Sequence, residues 1–369
     1  MRHTIIIPTL IMIALTLGVH PSEAAKKRTT EVWMAVLPAD TLVEKGADWD
    51  FVKKHIDGIK FWTQQIDDDA KTWPFQGCVD APDALKKLIV VLNKNKIPLI
   101  IEKGCWPQSL PDIGAERMGG KPGPFDDTFA QRAIDCELDR ISRVEALGGK
   151  VRYFDVDGPI RHMLYPILGG KGFPTIERCA QEFTKYMVGI QKVHPDIEFF
   201  ALSNFPNWGY RGDVSYTAPG MGWGDYFTAL ETTIRNAKSA KAPLRGITVD
   251  NPYDYATGTI KIPNGVADPS KIDWIARILD VEKYVHAQGL EFNLIFNAQT
   301  AGETSMEAFN KDTLAFIDLY RKRGGRPDRY IIQSWYTHPT HSEVLPETSA
   351  NTFTGLVKEV IERVKGVKG

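Results

Sequence analysis

The chain has 369 residues, with 45 Lys and Arg against 46 Asp and Glu and a formal net charge of −1. This near balance gives no electrostatic case for binding nucleic acid or an anionic membrane surface. The length suits one α/β barrel with insertions better than a small single-core domain.

The N-terminus has the pattern of a secretory signal peptide. Met1 to His3 is a short basic start, Thr4 to Val19 is apolar, and Ser22 to Ala24 has the small-x-small form of a cleavage site. A membrane anchor is the alternative, but the apolar run of about 16 residues is shorter than the ~20 that a spanning helix needs. We therefore expect residues 1–25 to be removed and the mature protein to be secreted or periplasmic, with no membrane attachment.

Eight apolar runs alternate with helical stretches over residues 26–369, which we take as one domain. The predicted strands are Glu31–Leu37, Gly58–Trp62, Ile97–Glu102, Val151–Asp157, Ile197–Asn204, Arg245–Asp250, Glu291–Asn297 and Arg329–Trp335. The predicted helices are Asp50–Ile56, Pro82–Asn95, Asp127–Leu147, Thr175–His194, Tyr226–Ala240, Lys271–Gln288, Ser305–Arg323 and Thr352–Lys365. Strands alternating with helices form parallel sheets, and eight units predict a closed (β/α)8 TIM barrel.

A doubly wound sheet is the competing architecture. It normally carries a glycine-rich phosphate loop after the first strand, where this chain has Leu37-Pro38-Ala39-Asp40. The predicted loops after strands three to six are long, whereas the returns from helix to strand are short. Because loops at the carboxyl ends of barrel strands build active sites, this asymmetry also predicts where the site lies.

The four cysteines are expected to form disulfides in an exported protein. Sequence alone allows three pairings. Placement on neighbouring upper loops favours Cys78–Cys105, and placement on consecutive helices favours Cys136–Cys179. Metal binding is the alternative, but no two cysteines have CxxC spacing.

The segment Val151 to Pro159 ends a predicted strand with two aspartates. Side chains alternate along a strand, so Asp155 and Asp157 share one face, while Phe154 and Val156 share the other. Five other strands also end in carboxylate or amide side chains, which would converge at the carboxyl-terminal end of the barrel: Glu102, Asn204, Asp250, Asn297 and Gln333. A single aspartate there could be a turn or cap residue, but the whole set predicts a functional site.

Paired carboxylates are what glycoside hydrolysis requires, since one protonates the leaving oxygen and the other attacks or activates water. Amides can bind sugar hydroxyls without adding charge, and aromatic rings present apolar surface to sugar C–H faces. Packing within the loops is the alternative for each ring. The candidate sugar-binding side chains are Asn204, Asn297, Gln333, Trp335, Trp106, Trp208, His162 and Tyr253.

Other chemistries have weaker support. The eight histidines are scattered, and the first strand lacks the His-x-His of metal-dependent barrel hydrolases. His338 and His341 could touch substrate or a metal, but a surface loop is the favoured explanation for both. No GxSxG elbow is present for a serine hydrolase.

In architecture and acid placement the chain resembles the (β/α)8-barrel glycoside hydrolases. It departs from their largest clan, whose nucleophile is a glutamate ending strand seven, because Asn297 stands there. It is more similar to families with an acidic pair on strands four and six, which implies a nucleophile at Asp155 or Asp157 and an acid/base at Asp250. YFDVDG also resembles the DxD motif of chitinase-like barrels, but Pro159 occupies the place of their glutamate, which argues against substrate-assisted chemistry.

The sequence thus predicts an exported, monomeric glycoside hydrolase that acts on a poly- or oligosaccharide without a cofactor. Asp157 is expected to be the nucleophile or base and Asp250 the general acid, with Asp155 supporting and Glu102 as the alternative acid. Two rivals remain open, a non-catalytic glycan-binding barrel and a metal-dependent hydrolase that uses the same aspartates.

Overall fold

The computed structural model describes residues 30–66, 82–103, 125–165, 171–212, 224–260 and 269–369. The predicted signal peptide, Trp106 and the pair Cys78–Cys105 lie outside these residues. Among the described residues, no helix combines the length and apolar character needed to cross a membrane.

Eight parallel strands close into a barrel in sequence order, β1 to β8, with β8 paired to β1. The predicted (β/α)8 fold is therefore confirmed. The strands are Glu31–Val36 (β1), Gly58–Trp62 (β2), Leu99–Lys103 (β3), Val151–Asp157 (β4), Glu198–Asn204 (β5), Leu244–Asp250 (β6), Glu291–Phe296 (β7) and Arg329–Ser334 (β8).

Helices follow each strand on the outside of the barrel. The main helices are Asp50–His55 (α1), Pro82–Asn95 (α2), Phe129–Ala146 (α3), Ile176–Val193 (α4), Tyr226–Ser239 (α5), Trp274–Ala287 (α6), Met306–Lys322 (α7) and Phe353–Lys365 (α8). Short helices occur at Thr41–Glu44, Arg161–Leu164, Tyr253–Ala256 and Gln299–Gly302.

Local chemistry sets several of these boundaries. Asp273 accepts a hydrogen bond from the Ala276 backbone N–H at 2.9 Å, so α6 begins at Trp274 and not at the predicted Lys271. Ile97 donates its N–H to the Leu92 carbonyl at 2.9 Å, which closes the end of α2. Strand β3 therefore starts after Pro98, two residues later than predicted.

The outward faces of the strands pack against the helices, as the alternation predicted. Phe154 on β4 stacks on Phe199 of β5 with ring centroids 5.5 Å apart. The predicted outward residues are all buried in the core between sheet and helices: Leu99, Ile101, Phe154, Val156, Ile247, Val249, Leu294 and Phe296. The inward positions are thereby left to the barrel interior.

The lower barrel interior is filled around Arg329. Its guanidinium lies 4.8 Å from the ring centroids of both Trp33 and Phe200, and its Nε donates to Glu31 at 2.8 Å. Arg329 is 2% exposed. Packed rings and a paired charge thus close the end of the barrel opposite the predicted site.

The predicted disulfide Cys136–Cys179 is wrong, because both cysteines are buried thiols. Ala130 on α3 donates its N–H to Glu182 on α4, so these two residues lie at about the same height along the two neighbouring helices. Cys179 stands one turn before Glu182, whereas Cys136 stands six residues beyond Ala130. At a rise of 1.5 Å per helical residue, Cys136 and Cys179 therefore differ in position along the helix axes by more than about 9 Å. This exceeds the Cα–Cα distance that a disulfide allows.

Candidate active site

A buried lysine joins two of the predicted acids at the barrel mouth, by which we mean the carboxyl-terminal ends of the strands. Lys60 Nζ on β2 donates to Asp155 Oδ2 on β4 at 2.9 Å and forms a second ion pair with Glu102 on β3. The side chains of Lys60 and Asp155 have no exposure at all. We call the group formed by Lys60, Glu102, Asp155, Asp157 and Asp250 the mouth cluster.

Glu102 has three partners, namely Lys60, Trp62 and Gln333. Trp62 Nε1 donates to its Oε1 at 2.8 Å, and Gln333 Nε2 lies 3.5 Å from the same oxygen. Burial raises the pKa of Glu102, Lys60 opposes that rise, and repulsion by Asp155 and Asp157 adds to it. Burial likewise raises the pKa of Asp155, again against the stabilising charge of Lys60.

Asp250 differs from these two acids because no cation among the described residues forms an ion pair with it, and the charge of Lys60 is only a minor influence on its pKa. Burial raises its pKa to about 7, and repulsion by Asp157 and Glu102 contributes to the rise. Asn297 Nδ2 donates to Asp250 Oδ1 at 3.1 Å. Asp250 is therefore a carboxyl group whose proton is available near neutral pH.

Asp157 is the member of the cluster that reaches solvent, with 24% of its side chain exposed. Its Oδ2 lies 3.9 Å from His162 Nε2. Gly158 between them has φ +58°, and a Cβ there would lie 2.2 Å from His162 Cδ2, so only glycine fits this approach. Burial lowers the pKa of His162, which keeps the imidazole neutral beside Asp157.

The loops after β6 and β7 hold Asn297 in place. Tyr253 donates its backbone N–H to the Asn297 carbonyl at 2.9 Å, and Asp254 accepts the Gln299 N–H at 2.9 Å. Asn297 is fully buried, and its Oδ1 has no hydrogen-bond partner among the described residues. Gln333 is 4% exposed and its Oε1 is unpartnered in the same sense.

The predicted sugar-binding residues divide into two groups. Asn297, Gln333 and His162 contact members of the mouth cluster, and Trp335, beyond the end of β8, is 46% exposed. The other three described candidates are engaged elsewhere. Asn204 accepts a hydrogen bond from Asn207 at 2.8 Å, Trp208 is 2% exposed and packs on Tyr226, and the Tyr253 ring packs 6.2 Å from Phe316.

The assignment of Trp208 to sugar stacking is wrong in the described structure, because its ring is part of the core. The Tyr253 ring likewise faces α7, and its contribution to the site is a backbone hydrogen bond. Two tyrosines that were not singled out lie near Asp250 instead. Burial raises the pKa of Tyr255 and Tyr336, and the charge of Asp250 raises both further.

The sequence analysis missed Lys60, the cation at the centre of the cluster. Its signal was present, since Lys60 alternates with Ile59 and Phe61 in a strand whose five residues are all buried. A lysine on the inward face of a buried strand requires an acidic partner. Thr248 on β6 was also missed; its hydroxyl lowers the pKa of Asp155 and accepts a hydrogen bond from Asn293 Nδ2 at 3.0 Å.

Solved structures with the same fold include several glycoside hydrolases. A psychrophilic glycoside hydrolase family 10 endo-β-1,4-xylanase is 12% identical, covers 84% of this chain and 86% of its own, and has a TM-score of 0.50. An intracellular xylanase from Thermoanaerobacterium saccharolyticum is 13% identical, with coverages of 85% and 90% and a TM-score of 0.48. An endo-β-1,6-glucanase is 12% identical, with coverages of 84% and 66% and a TM-score of 0.48.

No protein-family model matches the chain, and no curated protein matches it. At these identities the likeness to the xylanases and the glucanase is one of fold. The chain is thus a (β/α)8 barrel of the architecture used by those glycoside hydrolases, with its own set of charged residues at the mouth.

Proposed function

We propose that the protein is a glycoside hydrolase in which Asp250 is the general acid and Asp157 the nucleophile or general base. The observation that carries this proposal is the contrast between the two carboxyl groups at one barrel mouth. Asp250 is buried with a pKa of about 7, whereas Asp157 is partly exposed and lies near a neutral histidine. Carboxyl groups in such unlike environments suit acid and base roles.

In the proposed reaction Asp250 protonates the leaving glycosidic oxygen. Asn297 donates to Oδ1 of Asp250, so the acid form carries its proton on Oδ2. Asp157 acts on the anomeric carbon directly or through water. The spacing of the two carboxyl groups across the bound sugar decides between these routes, with about 5–5.5 Å for retention and about 6.5–9.5 Å for inversion.

Asp155 and Glu102 have a supporting role in this proposal. Both are ion-paired with Lys60, whose positive charge favours the ionised form of each carboxyl group and holds it in place. Their negative charges help to hold the proton on Asp250, since Glu102 contributes to the raised pKa of that residue. Glu102 thus acts through Asp250 and is not needed as a second acid.

The rival metal-dependent hydrolase has less support. In the described ranges no three His, Cys, Asp or Glu side chains are arranged to hold a metal ion. Asp155, which that rival needs as a ligand, is occupied by the Lys60 ammonium. A glycan-binding barrel without catalysis would use the same mouth, but it gives no reason for a carboxyl group with a pKa of about 7.

Export and a monomeric state belong to the same proposal, and the apolar N-terminus of the sequence supports export. Secretion or periplasmic location would place the enzyme beside polysaccharide substrates. Mass spectrometry of the N-terminus of the exported protein tests cleavage near residue 25. Size-exclusion chromatography with light scattering tests the monomer.

The function is tested by sugar release from a broad panel of polysaccharides and oligosaccharides. Wild type is compared with Asp157→Asn, Asp250→Asn and the matched control Asp196→Asn, an exposed aspartate that precedes β5 at the opposite end of the barrel. We expect cleavage of at least one glycan by wild type and the control, insensitive to EDTA, and a loss of about 10²-fold or more in the two mouth variants. Equal activity in all four proteins, or none in wild type, contradicts the proposal.

A further inference from the structure

Three unpartnered oxygens at the mouth are hydrogen-bond acceptors, and His162 Nδ1 is a further buried atom there without a partner among the described residues. Asn297 Oδ1, Gln333 Oε1 and Asp157 Oδ1 are buried and lack a hydrogen-bond partner among the described residues. A buried acceptor without a partner costs free energy, so each of these oxygens is suited to a group that donates a hydrogen bond. Gln333 lies on β8 and Asn297 directly follows the neighbouring β7, whereas Asp157 ends β4 on the opposite side of the barrel.

The orientation of the two amides follows from their neighbours. Glu102 Oε1 already accepts from Trp62 Nε1, so it is an acceptor, and Gln333 must turn its NH₂ group toward it. Asn297 turns its NH₂ group toward Asp250 Oδ1. In both residues the side-chain amide nitrogen donates to an acid. The side-chain carbonyl oxygen is therefore the atom without a partner among the described residues.

The charged side chains at the mouth also favour ligand groups that donate hydrogen bonds. Among the described side chains at the mouth, three acids besides Asp250, namely Glu102, Asp155 and Asp157, stand against two cations, Lys60 and Arg161. Lys60 itself is committed to Asp155 and Glu102. The nearby guanidinium of Arg161 contacts His162 Nε2 at 3.0 Å and leaves the amide oxygens without a cation.

We propose that this mouth selects neutral, hydroxyl-rich sugar units and discriminates against uronic acids and other acidic sugars. The inference rests on the proposed glycosidase function and narrows its substrate class. Sugar hydroxyls can donate to Asn297 Oδ1, Gln333 Oε1 and Asp157 Oδ1 together. A carboxylate in the same position would bring only acceptors to these three oxygens and would face more acids than cations among the described side chains.

The test uses pairs of sugars that differ only in the oxidation of C6. Binding of methyl glucoside, galactoside and mannoside is compared with binding of the matching methyl uronides by ligand-observed NMR with the full chain. For each pair that binds, we expect the neutral sugar to bind at least about tenfold more tightly, because one like charge within the mouth is repelled by at least that factor. Equal or tighter binding of a uronide, or no binding of any neutral member, overturns the inference.

Two variants of one residue sharpen the test. Gln333→Lys places a donor and a positive charge at the mouth, and Gln333→Glu is the isosteric change of opposite sign. We expect the neutral-to-uronide preference to fall in Gln333→Lys and to rise in Gln333→Glu. A preference that moves in the same direction in both variants contradicts the electrostatic reading.

Hydrolysis is measured separately from binding, so the two proposals fail in different ways. Selective binding of neutral sugars without any cleavage leaves the specificity intact and refutes the glycosidase. Cleavage of uronate-containing glycans at rates equal to those of neutral glycans supports the glycosidase and refutes the specificity.

Discussion

Lys60 Nζ and Asp155 Oδ2 lie 2.9 Å apart, and neither side chain has any solvent exposure. Such a pair is costly to bury and becomes far costlier when one partner is removed. Burial alone would lower the pKa of Lys60, but the charges of Asp155 and Glu102 raise it, so the lysine stays protonated. The pair therefore fixes the charge at the centre of the mouth cluster.

Removal of the lysine should destabilise the barrel in a pH-dependent way. Lys60→Met leaves Asp155 and Glu102 buried without a cation, and we expect a loss of about 3–5 kcal/mol in the free energy of unfolding at pH 8. The folded-state pKa values of both acids are already raised and would rise further, so the folded protein keeps protons that the unfolded chain has released. Stability then falls as pH rises above about 4, and the loss should be smaller at pH 5.

Urea unfolding at pH 5 and pH 8 checks this result. Lys150→Met is the matched control, since Lys150 pairs with Asp196 on the surface, both side chains are exposed, and the change should cost at most about 1 kcal/mol. Adding Asp155→Asn and Glu102→Gln to Lys60→Met should restore much of the loss. A Lys60→Met protein as stable as the control would show that the buried charges are compensated in some other way.

The pH dependence of hydrolysis should follow Asp250. The proposed reaction needs its protonated form, and its pKa is about 7. Activity should therefore hold on the acid side of about pH 7 and fall tenfold per pH unit well above it. A kcat profile that stays level to pH 9 in wild type would exclude Asp250 as the acid.

Asp250 should also lower stability at neutral pH. Its pKa is about 7 in the folded protein against an ordinary value of 3.8 for aspartate, so stability declines as pH rises from about 4 to about 7. Asp250→Asn removes this effect and can still accept the Asn297 hydrogen bond. We expect the variant to be inactive yet more stable at pH 8, by at most about 4 kcal/mol from the pKa difference. Thermal unfolding at pH 5 and pH 8 tests this, and the gain should be absent near pH 4.

Arg329 should affect stability without affecting chemistry. It lies four residues before Gln333 on β8, about 13 Å away along the strand. Arg329→Met loses the contacts with Trp33, Phe200 and Glu31, and we expect a cost of about 2–4 kcal/mol with kcat/KM changed less than twofold.

Arg329→Lys separates the contribution of the positive charge to stability from that of the planar guanidinium. It keeps the positive charge but not the planar stacking, so its cost should be intermediate. Denaturant unfolding and initial rates on the cleaved glycan measure both effects. A large loss of kcat/KM at full folding would show that the lower interior is coupled to the mouth.

Cys179 should resist alkylation in the native protein. Burial raises the pKa of its thiol to about 12, so almost no thiolate is present at pH 7.5. Peptide mapping after treatment with N-ethylmaleimide should show Cys179 unmodified in buffer and modified in urea. A cross-linked peptide containing Cys136 and Cys179 in a non-reduced digest would contradict the thiol assignment.

The strands were predictable because each carries its own local signal. Alternation placed Phe154 and Val156 outward and Asp155 and Asp157 inward, and the structure agrees. Alternation could not rank the two aspartates, because their difference depends on what barrel closure brings opposite them. Asp155 meets Lys60 from β2, 95 residues earlier in the chain, whereas Asp157 reaches solvent and His162.

The incorrect predictions for the Trp208 and Tyr253 rings also come from contacts that barrel closure creates. Trp208 and Tyr253 follow strands β5 and β6 directly, and position alone suggested that their rings face the mouth. Each ring instead turns outward, to Tyr226 and Phe316 respectively, because burying an aromatic ring against helices is strongly favourable. Whether such a ring faces the barrel mouth or the helices depends on tertiary packing, which the local sequence pattern does not specify.

The separation between Arg329 below and the mouth cluster above bears on how this barrel can be re-engineered. The lower interior is closed by packed rings and a paired charge that touch no mouth residue in the contacts described above. Libraries that vary Gln333, Trp335 and the loops beyond the strand ends should thus sample new substrates while keeping a folded scaffold. Libraries that vary Trp33 or Phe200 should yield mostly insoluble protein.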